Sequence, residues 1–169
     1  MPKHPILKLT SKNIDFIYFL NKKRFKDIYN SSKLDPRAVK VFETALNHPP
    51  HGDINSEISS PKKIEVHDND FEGKEVYVVF AHASFAEPVG DNYLAIGYST
   101  SAVFEYDAGK YSDVQEQANQ QKATILSPAL NFLSLLRADI LATNSLFPAV
   151  IDFESNLMPV SNTNKSEKK

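Results

Sequence analysis

The stretch that most constrains this chain is residues 75–106. Here Val76, Tyr77, Val78, Val79, Phe80, Ala81, His82, Ala83, Ser84 and Phe85 precede a polar break, and a second apolar run begins at Tyr93. β-Branched and aromatic side chains at this density favour extended backbone. In such a strand Val76, Val78, Phe80, His82 and Ser84 face one way while Tyr77, Val79, Ala81 and Ala83 face the other. Both rows are largely apolar, which predicts a central strand covered on both faces. In the second run Leu94, Ile96, Tyr98, Thr100, Ala102, Phe104 and Tyr106 form one row. Ala95, Gly97, Ser99, Ser101 and Val103 form the other, and small side chains there let a helix lie close or leave a groove for a ligand. Fourteen residues is long for one strand, so a bend near Gly97 is expected.

The flanking sequence supplies the rest of a layered fold. Residues 63–67 alternate polar and apolar, and turn residues at 68–73 predict a hairpin back onto residue 75. Thr10 and Ser11 precede Ile14, Phe16, Ile17, Phe19, Leu20, Phe25 and Ile28, whose spacing predicts a capped helix over 12–29. Asp35 followed by Pro36 marks a second helix start, with Val39, Phe42 and Leu46 on one face and Pro49 and Pro50 ending it. A polar helix is expected over 113–126, capped by Ser112. Ser127 and Pro128 then restart a helix whose Leu130, Leu133, Leu136, Ile140 and Leu141 cover the sheet. The fold class is therefore α+β: a small, mainly antiparallel sheet with strands at about 63–67, 75–85 and 93–106, and 149–153 as a candidate short edge strand. A helical hairpin at the N-terminal end and a helix pair at the C-terminal end pack it. A chain of 169 residues suits one core, so residues 1–160 are read as a single domain. Residues 161–169, which end in Lys168 and Lys169, are read as a disordered polar tail.

Composition narrows the functional classes. Nineteen basic and 21 acidic residues give a net charge of -2, which provides no global field to gather nucleic acid or anionic lipid. The basic side chains that could form a local patch are Lys22, Lys23, Arg24, Lys26, Lys62 and Lys63, and a solvated face accounts for them more simply. The absence of cysteine excludes thiolate metal sites and cysteine nucleophiles. No uninterrupted apolar run approaches 18 residues, and the first residues lack a signal-peptide pattern, so a cytoplasmic protein with no membrane partner is expected.

Chemistry-bearing residues concentrate in two places. His82 and Ser84, on one side of a strand end, are the candidate catalytic pair, with the imidazole as acid or base and the hydroxyl as donor. This His-x-Ser resembles one half of the paired motif of two-histidine phosphoesterases. None of His4, His48, His51 or His67 has a hydroxyl two residues later, so the second half is missing. His67, Asp68 and Asp70 form a candidate metal set, an imidazole with two carboxylates, in a turn where Asp also bonds its own backbone. Tyr98, Ser99 and Ser101 are candidate ligand-binding residues on the small-residue strand. The run Gly97-Tyr-Ser-Thr-Ser101 departs from the nucleophile elbow at its last position, and five scattered glycines provide no phosphate loop. The sequence names no cofactor. It supports a small binding or regulatory protein acting through a groove or surface patch, a homo-oligomer interface among them, on a protein or small-molecule partner rather than nucleic acid. The alternative is a small hydrolase or phosphoesterase built on His82, Ser84 and the His67, Asp68, Asp70 turn.

Overall fold

A computed structural model describes residues 8–30, 34–47, 54–67, 71 and 73–143 of the chain. The elements in order are β1 (Lys8–Asn21), α1 (Lys22–Asn30), α2 (Pro36–Asn47), β2 (Asn55–Ile58), β3 (Lys62–Ile64), β4 (Val76–Val89), β5 (Asn92–Glu105), α3 (Val114–Gln120) and α4 (Lys122–Thr143). The strands form one antiparallel sheet in the order β1-β5-β4-β2, with β3 also paired on β4. This is the expected α+β architecture. The candidate strand 149–153 and the tail 161–169 lie outside the described residues.

β4 and β5 pair along their whole length across a two-residue turn, Gly90-Asp91, with Gly90 at φ 56°, a conformation glycine adopts without steric cost. β4 runs four residues past the expected end at Phe85 and carries Pro88 within it. In such a hairpin the flanking pair Val89/Asn92 is hydrogen-bonded and the next pair, Pro88/Tyr93, is not, so the missing proline N–H faces away from β5. β2 ends opposite Ser84 and does not reach that side.

The sheet separates the two larger of its three cores. On its front face Val79, Ala81, Ala83 and Phe85 of β4 and Leu94, Ile96 and Phe104 of β5 pack under Ile125, Leu126, Ala129, Leu130 and Leu133 of α4. On its back face Phe16, Ala86 and Ala95 pack with Phe25 of α1 and Ala38, Val41 and Phe42 of α2. By length and composition α4 could cross a bilayer, and in this fold its apolar side lies on the sheet. Arg137 fastens α4 to β4 through two hydrogen bonds to Glu87, at 2.6 and 2.9 Å.

Two expected elements are corrected. Residues 12–21 belong to β1, and the helix starts only at Lys22. The cause is a β-bulge: Ile14 pairs with Tyr98 and Phe16 with Gly97, so Asp15 is an inserted residue. It stretches the two-residue alternation to three, putting Ile14 and Ile17 on one face at a spacing that imitates a helix. The helical hairpin is thus shorter than expected, α1 with α2. At the other end α4 begins at Lys122 and runs through Pro128, where a new helix was expected. The carbonyl deprived of its donor is that of Thr124, an exposed residue that water can serve. The N-cap of α3 is Asp113, not Ser112: its carboxylate accepts from Glu116 N at 2.7 Å, while Ser112 bonds the Glu116 carboxylate.

Candidate functional site

The bulge in β1 has a chemical consequence. It turns both Asp15 and Phe16 to the back face, where strict alternation would have separated them. Asp15 Oδ2 accepts from Ser99 Oγ at 2.5 Å and lies 2.7 Å from His82 Nδ1 and 3.2 Å from Arg37 Nη1. A carboxylate only accepts, so His82 Nδ1 carries a proton toward Asp15, and Nε2 lies 3.2 Å from Ser84 Oγ. Arg37 is aimed by the first turn of α2. Asp35 caps that helix by accepting from Arg37 N at 2.8 Å, and its carboxylate also holds Arg37 Nε at 3.1 Å and Nη2 at 3.0 Å. The guanidinium hydrogen bond, ahead of the backbone bond and the charges of Arg37 and His82, holds the Asp35 carboxyl below its ordinary value, against the opposing effect of burial. Asp35 in turn raises the Arg37 guanidinium above its ordinary value, burial again opposing.

Five side chains from β1, α2, β4 and β5 thus form one part-buried network, Asp15, Arg37, His82, Ser84 and Ser99. His82 and Ser84 come together as the sequence suggested. Asp15 and Arg37 were not anticipated, because β1 was read as helix. A signal was present: Asp15 is the one acidic residue in an otherwise aromatic and β-branched run from Ile14 to Leu20. The order Asp15, His82, Ser84 has the connectivity of a nucleophile triad. Ser84, however, is 0% exposed, so no substrate reaches its Oγ without the sheet opening. Phe16 lies over the adjacent Gly97, where a Cβ would stand only 2.7 and 2.8 Å from its Cζ and Cδ1. The network ties the α1–α2 layer to the sheet.

The remaining candidates do not form one site. Tyr98 lies on the front face, stacked on Phe132 of α4 with centroids 5.3 Å apart, whereas Ser99 and Ser101 lie on the back. Ser101 Oγ is taken up by Thr10 and Ser11, each at 2.6 Å, so β1 covers the small-residue row that α4 was expected to close or leave open. His67 is exposed and does not meet His82. Ile64 of β3 is level with Val76, six residues and about 20 Å along β4 from His82, and His67 follows it. Asp68 and Asp70 lie outside the described residues, among which no group of three or more His, Asp or Glu is placed to hold a metal ion.

A second feature lies on the front face. α4 packs on β4, β5 and β2 and, apart from Phe132 against Lys12, leaves the front row of β1 exposed. The front row of β1, Leu9, Ile14, Ile17 and Phe19, is therefore exposed by 37% to 53%, and Leu135 of α4 by 62%. With roughly 150–250 Å² in each large apolar side chain, the four β1 fractions leave about 300 Å² open.

Neither a family model nor a curated protein sequence matches the chain. Among solved structures it is similar to a protein of unknown function from Streptococcus agalactiae, with TM-score 0.45 and 10% identity over 89% of this chain and 99% of that one. It is also similar to a SecB-like chaperone from Mycobacterium tuberculosis, solved in complex with a peptide from the HigA1 antitoxin, with TM-score 0.40 and 11% identity over 86% of this chain and 89% of that one.

Proposed function

We propose that this protein binds polypeptide, taking an extended apolar segment of another protein along the outer edge of β1, level with its exposed front row. The observation that carries the reading is the exposed front row of β1. Natural sheets blunt their edges. The far edge here does so, with β2 and β3 only four and three residues long. β1 has 14 residues, and beyond the bulge residues 16–21 pair with β5 in unbroken register. Among the described residues its outer side has no strand, which leaves backbone donors and acceptors beside an apolar row whose two-residue period holds at Ile17 and Phe19, beyond the bulge. A strand satisfies both at once, whereas a helix satisfies only the apolar row. The hydrolase reading asks for access to Ser84, and its burial favours binding.

The test is fluorescence anisotropy with labelled nine-residue peptides rich in valine, isoleucine and phenylalanine, against a proline-interrupted control. Binding of the apolar peptides alone is expected. Ile17, now 42% exposed, contributes about 1 kcal/mol when covered, and placing a carboxylate there adds a desolvation cost. Ile17→Asp should therefore weaken binding about tenfold or more, while Leu46→Asp on α2, equally exposed, should leave it unchanged. Wild-type affinity in Ile17→Asp, or no binding of any apolar peptide, rules the reading out.

A further inference from the structure

We infer that the segment received on β1 carries an acidic residue beside its apolar core, seated on Lys12; this rests on the polypeptide-binding reading above. Lys12 pairs across from Thr100, so it stands in the same front row as Leu9, Ile14 and Ile17. Its Nζ lies 4.2 Å from the centroid of the Phe132 ring, which holds a positive charge beside the exposed apolar row on an aromatic face. The acid nearest to it along the strand is Asp15, the only carboxylate of β1, and the bulge has turned that group to the opposite face. There Ser99, His82 and Arg37 occupy it. This face of β1 thus presents a cation whose strand-mate acid has been removed from it, and a ligand carboxylate completes the pair. At the other end of β1, α1 carries Lys22, Lys23, Arg24 and Lys26, with Asp27 on the same helix and Asp91 at the hairpin turn.

The same charges argue against a second copy of this chain as the occupant. To keep apolar rows on one face, an antiparallel two-fold pairing of β1 must centre on a residue of its regular part, such as Tyr18. That pairing brings Lys12 of one copy toward the stretch from Lys22 to Arg24 of the other, like charge against like.

The experiment uses the full chain and one apolar peptide core flanked at either end by two Asp, two Lys or two Asn residues, read by anisotropy at 20 and 500 mM NaCl. An Asp flank at one end should tighten binding roughly three- to fivefold over Asn at low salt, as an exposed ion pair does, and the gain should vanish at high salt. Lys12→Gln should abolish the preference, and Lys12→Glu should reverse it toward the Lys-flanked peptide. Lys12 and Ile17 are exposed, so both variants should keep the wild-type melting temperature. Equal binding of all flanks, lost in Ile17→Asp but unaltered in Lys12→Glu, overturns the acidic partner and leaves polypeptide binding intact. No peptide binding, with sedimentation showing a dimer that Ile17→Asp dissociates, makes a second copy the occupant and overturns both.

Discussion

Replacing Asp15 with alanine is the most direct probe of the part-buried network. The substitution removes one acceptor that His82 Nδ1, Ser99 Oγ and Arg37 Nη1 share at 2.7, 2.5 and 3.2 Å. Arg37 loses least, because its side chain is 39% exposed and keeps its bonds to Asp35. His82 and Ser99 are the costly pair: a donor left buried without an acceptor costs about 1–3 kcal/mol. Part is recovered if His82 moves its proton to Nε2, since Nδ1 then accepts from Ser99 Oγ at 3.2 Å. The expected net loss is about 2–4 kcal/mol, a large part of the roughly 5–15 kcal/mol that holds a domain together. Urea unfolding followed by circular dichroism should show the midpoint falling by about 1–2 M with the slope unchanged. Adding Ser99→Ala should cost little more, because the hydroxyl has already lost its acceptor, giving a coupling of at least about 0.5 kcal/mol in the double-mutant cycle. A loss below about 1 kcal/mol, or strictly additive single effects, refutes the claim that these side chains act as one fastening.

Gly97→Ala should destabilise by about 1–3 kcal/mol through overpacking against Phe16 alone, since Gly97 does not have a left-handed φ, and Phe16→Leu in the same chain should restore part of it in thermal melts. Asp35 adds a pH dependence whose sign follows from its lowered pKa: the stabilisation is complete above the ordinary value of 3.8 and is lost as pH falls through the lower folded value. Unfolding free energies measured from pH 6 to pH 2 should therefore fall more gently in Asp35→Asn, and identical slopes in the two proteins would show that Arg37 does not hold that carboxylate.

How much of this was legible in the sequence differs by element. β4 and β5 were readable because two dense β-branched and aromatic runs sit either side of a polar turn; alternation grouped Val79 with Ala81 and Leu94 with Ile96, and the strand pairing put both groups in one core. The cap at Asp35 and Pro36 was equally local, since both effects operate within one turn. β1 was not readable, because a bulge changes the period from two to three and the pattern then matches a helix better than a strand.

The sequence alone determined that this chain would build a two-sided antiparallel sheet with helices, and that His82 and Ser84 would share a face, because period-two alternation is a property of neighbouring residues. Tertiary structure decided everything that depends on which strand lies beside which. Only the pairing of β1 with β5 places Asp15, 67 residues before His82, within hydrogen-bonding distance of it. Only the path of α4, over β4, β5 and β2, leaves Leu9, Ile14, Ile17 and Phe19 uncovered. Exposure is a property of what packs on a residue, and no local pattern distinguishes an isoleucine that a helix will cover from one that it leaves exposed.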